Sequence, residues 1–262
     1  MTESRRPRLI DLSVTLSNDT AAFEPNPHQI TYTDHAQAAQ AIPALMGLSA
    51  AQAARLMPRG HLWSVETVTL STHSGTHVDA PYHYGPRMAD GGAPLTIDQV
   101  PLDWCYGPGV CLDFTHKSPG DGITDTDVDR ELRRIGHDLQ PGDIVLTHTG
   151  ASRHFHEPGY EHRHAGYTRA GLACLVERGV RLIGTDAWGI DRPFPALLKD
   201  AAAGTAEFWE AHLYGLERPY LQIEKLSNLD QLPGPTGFTV SAFPVKVQGA
   251  SAAWARVVAL IP

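Results

Sequence analysis

Residues 124–149, TDTDVDRELRRIGHDLQPGDIVLTHT, place a helix signal directly before a strand signal. Thr124 and Asp127 stand at the spacing of a capping box, in which the two side chains satisfy each other's backbone N–H groups. The pattern predicts a helix through about Leu139, ended by Pro141–Gly142, because proline cannot continue the hydrogen-bond ladder. The β-branched run after Asp143 reads as a strand. The same order returns at residues 169–186, where Leu172, Leu175 and Val176 keep helical spacing, Gly179 supplies the stop and VRLIGTD follows.

Working outward, strand-like runs recur at RLIDLSV from about residue 8, WSVETVTLST from Trp63, GVCLDFT from Gly109, YLQIEKL from Tyr220, FTVSAFPVKV from Phe238 and AWARVVALI from Ala253. Each is bounded by Gly, Pro, Asn or Asp. The last two follow each other too closely for a crossover helix, which argues for a mixed α/β fold with a sheet that is not fully parallel. Residues 34–56 are alanine-rich and read as a helical insertion ahead of the Trp63 strand. With no repeat and no linker, the expectation is one β-rich domain with flanking helices over residues 1–262.

Composition narrows the function. A net charge of -8 disfavours a nucleic-acid partner, which calls for a basic face. Three cysteines without a C-x-x-C pair argue against a disulfide framework or zinc ribbon and favour a reducing compartment. The basic start MTESRRPRLIDLS has no apolar stretch behind it, and no run approaches the ~18 apolar residues of a membrane span. These features together lead us to expect a cytoplasmic protein. A dinucleotide enzyme lacks its G-x-G-x-x-G loop here, and a serine hydrolase its G-x-S-x-G elbow.

The chemistry concentrates in THSGTHVDAPYH, residues 72–83, which carries His73, His77, Asp79 and His83. Imidazoles and a carboxylate at this density form a nitrogen/oxygen donor set suited to Zn²⁺, Mn²⁺ or Fe²⁺. The Ser74–Gly75–Thr76 interruption after a strand-like run suggests a tight turn that converges the donors, and Pro81 stiffens the exit. A single histidine in such a place is more often an ordinary surface or core residue; the cluster makes that reading the weaker one.

The segment His73-Ser-Gly-Thr-His77-Val-Asp79-Ala-Pro-Tyr-His83 resembles the H-x-G-T-H-x-D-x-P-x-H signature of the cyclase superfamily, which includes kynurenine formamidases, isatin hydrolases and cyclases of aromatic polyketide pathways. Likeness extends over IDLS at residues 10–13, PGDIVLTHTG from Pro141, GVRLIGTDAWGIDRP from Gly179, AHLYG from Ala211 and QIEKLSNLDQLP from Gln222, and it leans toward the isatin hydrolase branch. The resemblance implies a swivelling β/β/α fold and a homo-oligomer, and a centre of one or two divalent ions, Mn²⁺ or Zn²⁺. It implies His73, His77, Asp79, His212 and Glu224 as ligands and His83 as the catalytic acid–base. Read by itself, Glu224 inside the apolar YLQIEKL would need a cation if it faced inward.

Such a site polarises a carbonyl and activates water, so the expected reaction is hydrolysis of a C–N bond in an aromatic amide or lactam. The same groups could drive enolisation and aldol ring closure, and a non-catalytic metal-binding protein is the competitor from another class. A small aromatic carbonyl compound is the expected substrate, with Phe23, Trp63, Tyr82 and Trp188 as candidate aromatic contacts and Arg192 as a candidate anchor for a carboxylate or ketone. His148 and Thr149 are weaker candidates for the same pocket. The histidine-rich stretch SRHFHEPGYEHRH, residues 152–164, reads as a solvated, mobile loop.

Overall fold

The computed structural model describes residues 6–19, 24 and 27–262. These fall into two compact units, one formed by residues up to Leu16 together with Thr72–Pro262, the other by Ser17–Ser71.

The smaller unit holds β2 (Gln29–Thr33) paired antiparallel with β3 (Val65–Thr69), and the helices α1 (His35–Leu45) and α2 (Ala50–Leu56). Capping boxes start both helices, Asp34 with Gln37 and Ser49 with Gln52. The alanine-rich segment is therefore helical as expected. The Trp63 run gives β3, which pairs with β2 and not with the large sheet.

The larger unit holds, in chain order, β1 (Arg8–Asp11), β4 (His77–Asp79), α3 (Pro81–Tyr84), β5 (Tyr106–Asp113), β6 (Gly122–Ile123), α4 (Asp125–Ile135), β7 (Ile144–His148), β8 (Gly166–Tyr167), α5 (Arg169–Val176), β9 (Leu182–Thr185), α6 (Phe194–Ala203), α7 (Glu210–Tyr214), β10 (Leu221–Glu224), β11 (Phe238–Ser241), β12 (Ala252–Trp254) and β13 (Val258–Ile261). Nine of these strands form one sheet in the order β1-β13-β11-β5-β7-β9-β10-β4-β12. The centre, β5-β7-β9-β10, is parallel, and every other pairing is antiparallel. Parallel neighbours need long crossovers. Here α4, α5 and the α6–α7 pair supply them.

Alternation along the strands fills two cores. Val110, Leu112, Val145 and Ile183 meet Val128, Leu132, Leu172 and Leu175 from α4 and α5. On the opposite face Cys111, Leu146, Leu182 and Ile223 meet Ile97, Leu226 and Leu229. The three cysteines are free thiols.

Three expectations change. The helix after Thr124 has the capping box, but it ends at Gly136, whose left-handed backbone (φ 65°) returns its N–H to the Arg133 and Leu132 carbonyls before Pro141 is reached. The Phe238 run is a strand only as far as Ser241. The final run splits: β12 pairs with β4 and β13 with β1 and β11. Hydrogen bonds from the Ala255 N–H to the Thr76 carbonyl and from the Val257 N–H to Ser13 Oγ turn the chain between them. Seven inter-strand steps of about 4.8 Å would separate β13 from β12 by roughly 34 Å in a flat sheet. The four Cα steps from Trp254 to Val258 reach only about 15 Å. The sheet must curl to bring its two ends together.

Gly109 shows how tightly that curl is packed. It lies opposite Phe238 in the β5/β11 register, and a Cβ there would sit 2.0 Å from the Phe238 ring. Gly109→Ala is expected to cost about 1–3 kcal/mol, read as a lower urea midpoint at unchanged m-value.

Candidate active site

The short strand β4 sets the geometry. His77 and Asp79 are two residues apart and so project to one face. The register with β10 places Glu224 opposite His77 and Gln222 opposite Asp79, so the four side chains share that face. All four residues are buried. Gln222 Nε2 donates to Asp79 Oδ2 at 3.4 Å. The turn expected across the motif is real only for residues 72–76; His77 and Asp79 sit on a strand, not on the turn. Gly75 makes that turn with φ 61°, and a side chain there would meet Leu16 Cδ2 at 2.6 Å.

From the turn, His73 reaches Asp79 with Nδ1 2.9 Å from Oδ1, and its Nε2 meets Ser251 Oγ at 3.0 Å. His77 Nε2 lies 3.2 Å from the same Asp79 oxygen and 3.5 Å from Glu224 Oε2. His83 lies in the single turn of α3, with its ring centroid 4.2 Å from that of His73. Two sets of three donors each gather within 4.8 Å, His73–Asp79–His83 and His77–Asp79–Glu224, and Asp79 belongs to both.

These residues fit a cation. His77 Nδ1 donates to the Gly75 carbonyl at 2.8 Å, which leaves Nε2 as a bare lone pair. That nitrogen and Asp79 Oδ1 are both buried, and with His77 neutral their lone pairs face each other at 3.2 Å. Burial alone would push His77 down, but the adjacent Asp79 carboxylate, with Glu224 behind it, raises it. Glu224 is raised by burial and then by Asp79. Asp79 is held well below the usual carboxylate range because its histidine neighbours outweigh burial. The Asp79 and Glu224 carboxylates thus favour positive charge at His77. His83 differs: burial lowers it to about 4, so it is a neutral imidazole at neutral pH.

His212 lies outside both donor sets, its ring centroid 5.4 Å from that of His83. Its Nδ1 donates to Asp191 Oδ2 at 2.5 Å. The Asp191 carboxylate also accepts the N–H groups of Ala211 and His212, satisfying donors at the start of α7 that no local cap reaches. Trp209 stacks on His212 at 4.1 Å with its backbone in the left-handed region.

The other sequence candidates separate. The Arg192 guanidinium pairs with Asp200 at 2.6 Å and Glu210 at 3.3 Å, while its Nε is buried without a hydrogen-bond partner. Trp188 packs edge-on against Phe194, and Lys225 Nζ lies 5.6 Å from its ring centroid. Tyr82 is about half exposed. Trp63 belongs to the smaller unit, and Phe23 lies outside the described residues. His148 and Thr149 gather instead at Asp186, where Thr149 donates from its N–H and Oγ1 and His148 Nε2 stands 4.0 Å away.

Sequence reasoning missed Asp191, Gln222, Trp209, Ser251 and Lys225. Gln222 was findable, since it stands two residues before Glu224 on one strand face.

The histidine-rich stretch is not a solvated loop throughout. Phe155 and Tyr160 are buried with Ala151 and Ala187. His164 is buried as well, and burial lowers it from 6.5 to about 4. The unfolded chain therefore takes up a proton below about pH 6.5 that the folded chain refuses until about 4, and stability is lost as pH falls through that window. At about 1.4 kcal/mol per unit the loss approaches roughly 3 kcal/mol. Urea midpoints at pH 7.5 and 5.0 should converge in His164→Gln relative to the parent protein; an equal drop in both would remove His164 as the cause.

The "Putative cyclase" family model matches residues 10–192, more than half of the chain. The chain belongs to that cyclase family. The match ends before His212 and Glu224. Among relatives, a kynurenine formamidase of Maricaulis maris (strain MCS10) is 29% identical over 194 residues, covering 74% of this chain and 79% of that protein. An isatin hydrolase solved with the product analogue thioisatinate superposes with a TM-score of 0.75 at 19% identity, over 99% of this chain and 94% of that one. A potential metal-dependent hydrolase with cyclase activity superposes at 0.63 and 24% identity, over 97% and 98%. At these identities the two structures establish likeness of fold.

Proposed function

We propose that this cyclase-family enzyme is a metal-dependent hydrolase that opens the C–N bond of an aromatic amide or lactam, with His73, His77, Asp79 and Glu224 holding the ion. The observation that carries the reading is the buried His77 Nε2 lone pair set against the Asp79 and Glu224 carboxylates. Mixed imidazole and carboxylate donors suit Mn²⁺ or Zn²⁺. When bound, such an ion supplies Lewis acidity toward a carbonyl oxygen and toward water.

The chain's own groups supply the rest. His83, neutral at working pH, takes the proton of the attacking water on its imidazole and returns it to the departing nitrogen. Its low basicity makes the return step easy. Asp191 holds the His212 ring through Nδ1 and, against burial, raises its pKa, so protonated His212 has an Nε2–H to donate, and we assign that N–H to a substrate oxygen. Trp209 shields the His212 face from water. The substrate class is supported by the formamidase and isatin hydrolase likenesses together with Trp209, whose ring lies beside His83 and His212.

A panel of N-formylkynurenine, isatin and simple aryl esters, offered to Mn²⁺- and Zn²⁺-loaded protein, tests the class. Hydrolysis of at least one C–N substrate, seen by mass, is expected. Metal-loaded protein that leaves the whole panel intact would move the assignment to ring closure.

A further inference from the structure

Lys225 immediately follows Glu224 and combines two features that each oppose folding. Its backbone lies in the left-handed region at φ 60°, which a side-chain-bearing residue adopts only under constraint, and its ammonium-bearing side chain is buried. Glycine would relieve the first and any apolar residue the second. Retention of a lysine calls for a compensating contact.

The structure supplies that contact. Lys225 Nζ donates to the main-chain carbonyl of His73 at 2.9 Å. The Lys225 carbonyl accepts Thr76 Oγ1 at 2.6 Å, and its N–H donates to the Ala187 carbonyl at 2.9 Å. Both ends of the turn that carries His73 are thereby tied to the residue after Glu224. The left-handed backbone lets one residue do this: it ends β10, keeps the Glu224 side chain on the metal-facing side, and turns its own amine back toward residue 73.

We infer that Lys225 is the positioning residue of the metal centre, fixing His73 relative to Glu224 so that donors from the turn and from β10 meet one ion. The inference rests on the metal reading above. Lys225 touches no reacting atom; it acts through His73.

The test is metal affinity, read by chelator competition with Mn²⁺ and Zn²⁺ on the full chain. Lys225→Met removes the ammonium. Lys225→Gly removes it and also relieves the backbone, which secures folding. Both variants should bind 10–100-fold more weakly, the range for an outer-shell partner, while the stripped Lys225→Gly protein keeps the parent's urea midpoint. In a His73→Ala background, Lys225→Gly should produce no further loss. Unchanged affinity in Lys225→Gly overturns the inference, as does an equal loss with and without His73. A parent protein that binds neither metal instead overturns the metal reading itself.

Discussion

His83→Ala should lower kcat by about 10²–10⁴-fold, the range for a positioned general acid–base, while metal content stays at the parent level. The expectation follows from contrast within the pocket. Burial drives His83 to about 4, whereas carboxylates raise His77 and His212 despite burial. His83 is thus a neutral imidazole at neutral pH, with a lone pair free to accept a proton. It also stands within 4.8 Å of donors on His73 and Asp79, which gives the substitution its discriminating power. If His83→Ala loses metal along with turnover, the residue is a ligand. Elemental analysis beside steady-state kinetics separates the two outcomes, and exogenous imidazole should restore part of the rate in the proton-transfer case.

Asp79→Asn should abolish high-affinity metal binding and bring turnover to background. Asp79 is the carboxylate common to both donor sets, with His73 at 2.9 Å and His77 at 3.2 Å from one oxygen. Asparagine keeps the shape but removes the charge, so the loss should exceed the 10–100-fold that an outer-shell change costs. Thermal unfolding gives the measurement. At 100 times its Kd, a metal that binds the native state alone adds about 2.7 kcal/mol. The parent should gain that stability on reloading, and Asp79→Asn should gain none. A variant that is stabilised as much as the parent would show that the ion sits elsewhere.

How far the sequence carried these conclusions depends on the range of the interactions involved. Local signals were legible: the Thr124–Asp127 box, the β-branched runs and the residue 73–83 motif are all written within a dozen residues. Long-range pairing was not. The strand His77–Asp79 has three residues between a glycine turn and a proline, too few to show a strand period, and it forms because β10 and β12 flank it. Nothing in AWARVVALI announces that its halves pair toward opposite ends of a curled sheet. The charge of Arg192 is visible in sequence, whereas its ion pairs with Asp200 and Glu210 form only through the placement of α6 and α7. His162 and His164 show the same limit. Two residues apart, the first is half-exposed and the second buried, because Tyr160 and Phe155 pull part of that segment into the core.

The most direct test is turnover of an aryl formamide or lactam in heavy-oxygen water by the parent protein, first stripped and then reloaded with Mn²⁺ or Zn²⁺. The proposed hydrolysis predicts that stripped protein is inactive and that reloading restores turnover, with one solvent oxygen entering the carboxyl product of each C–N cleavage. Equal turnover by stripped protein, or a product carrying no solvent oxygen, would contradict it.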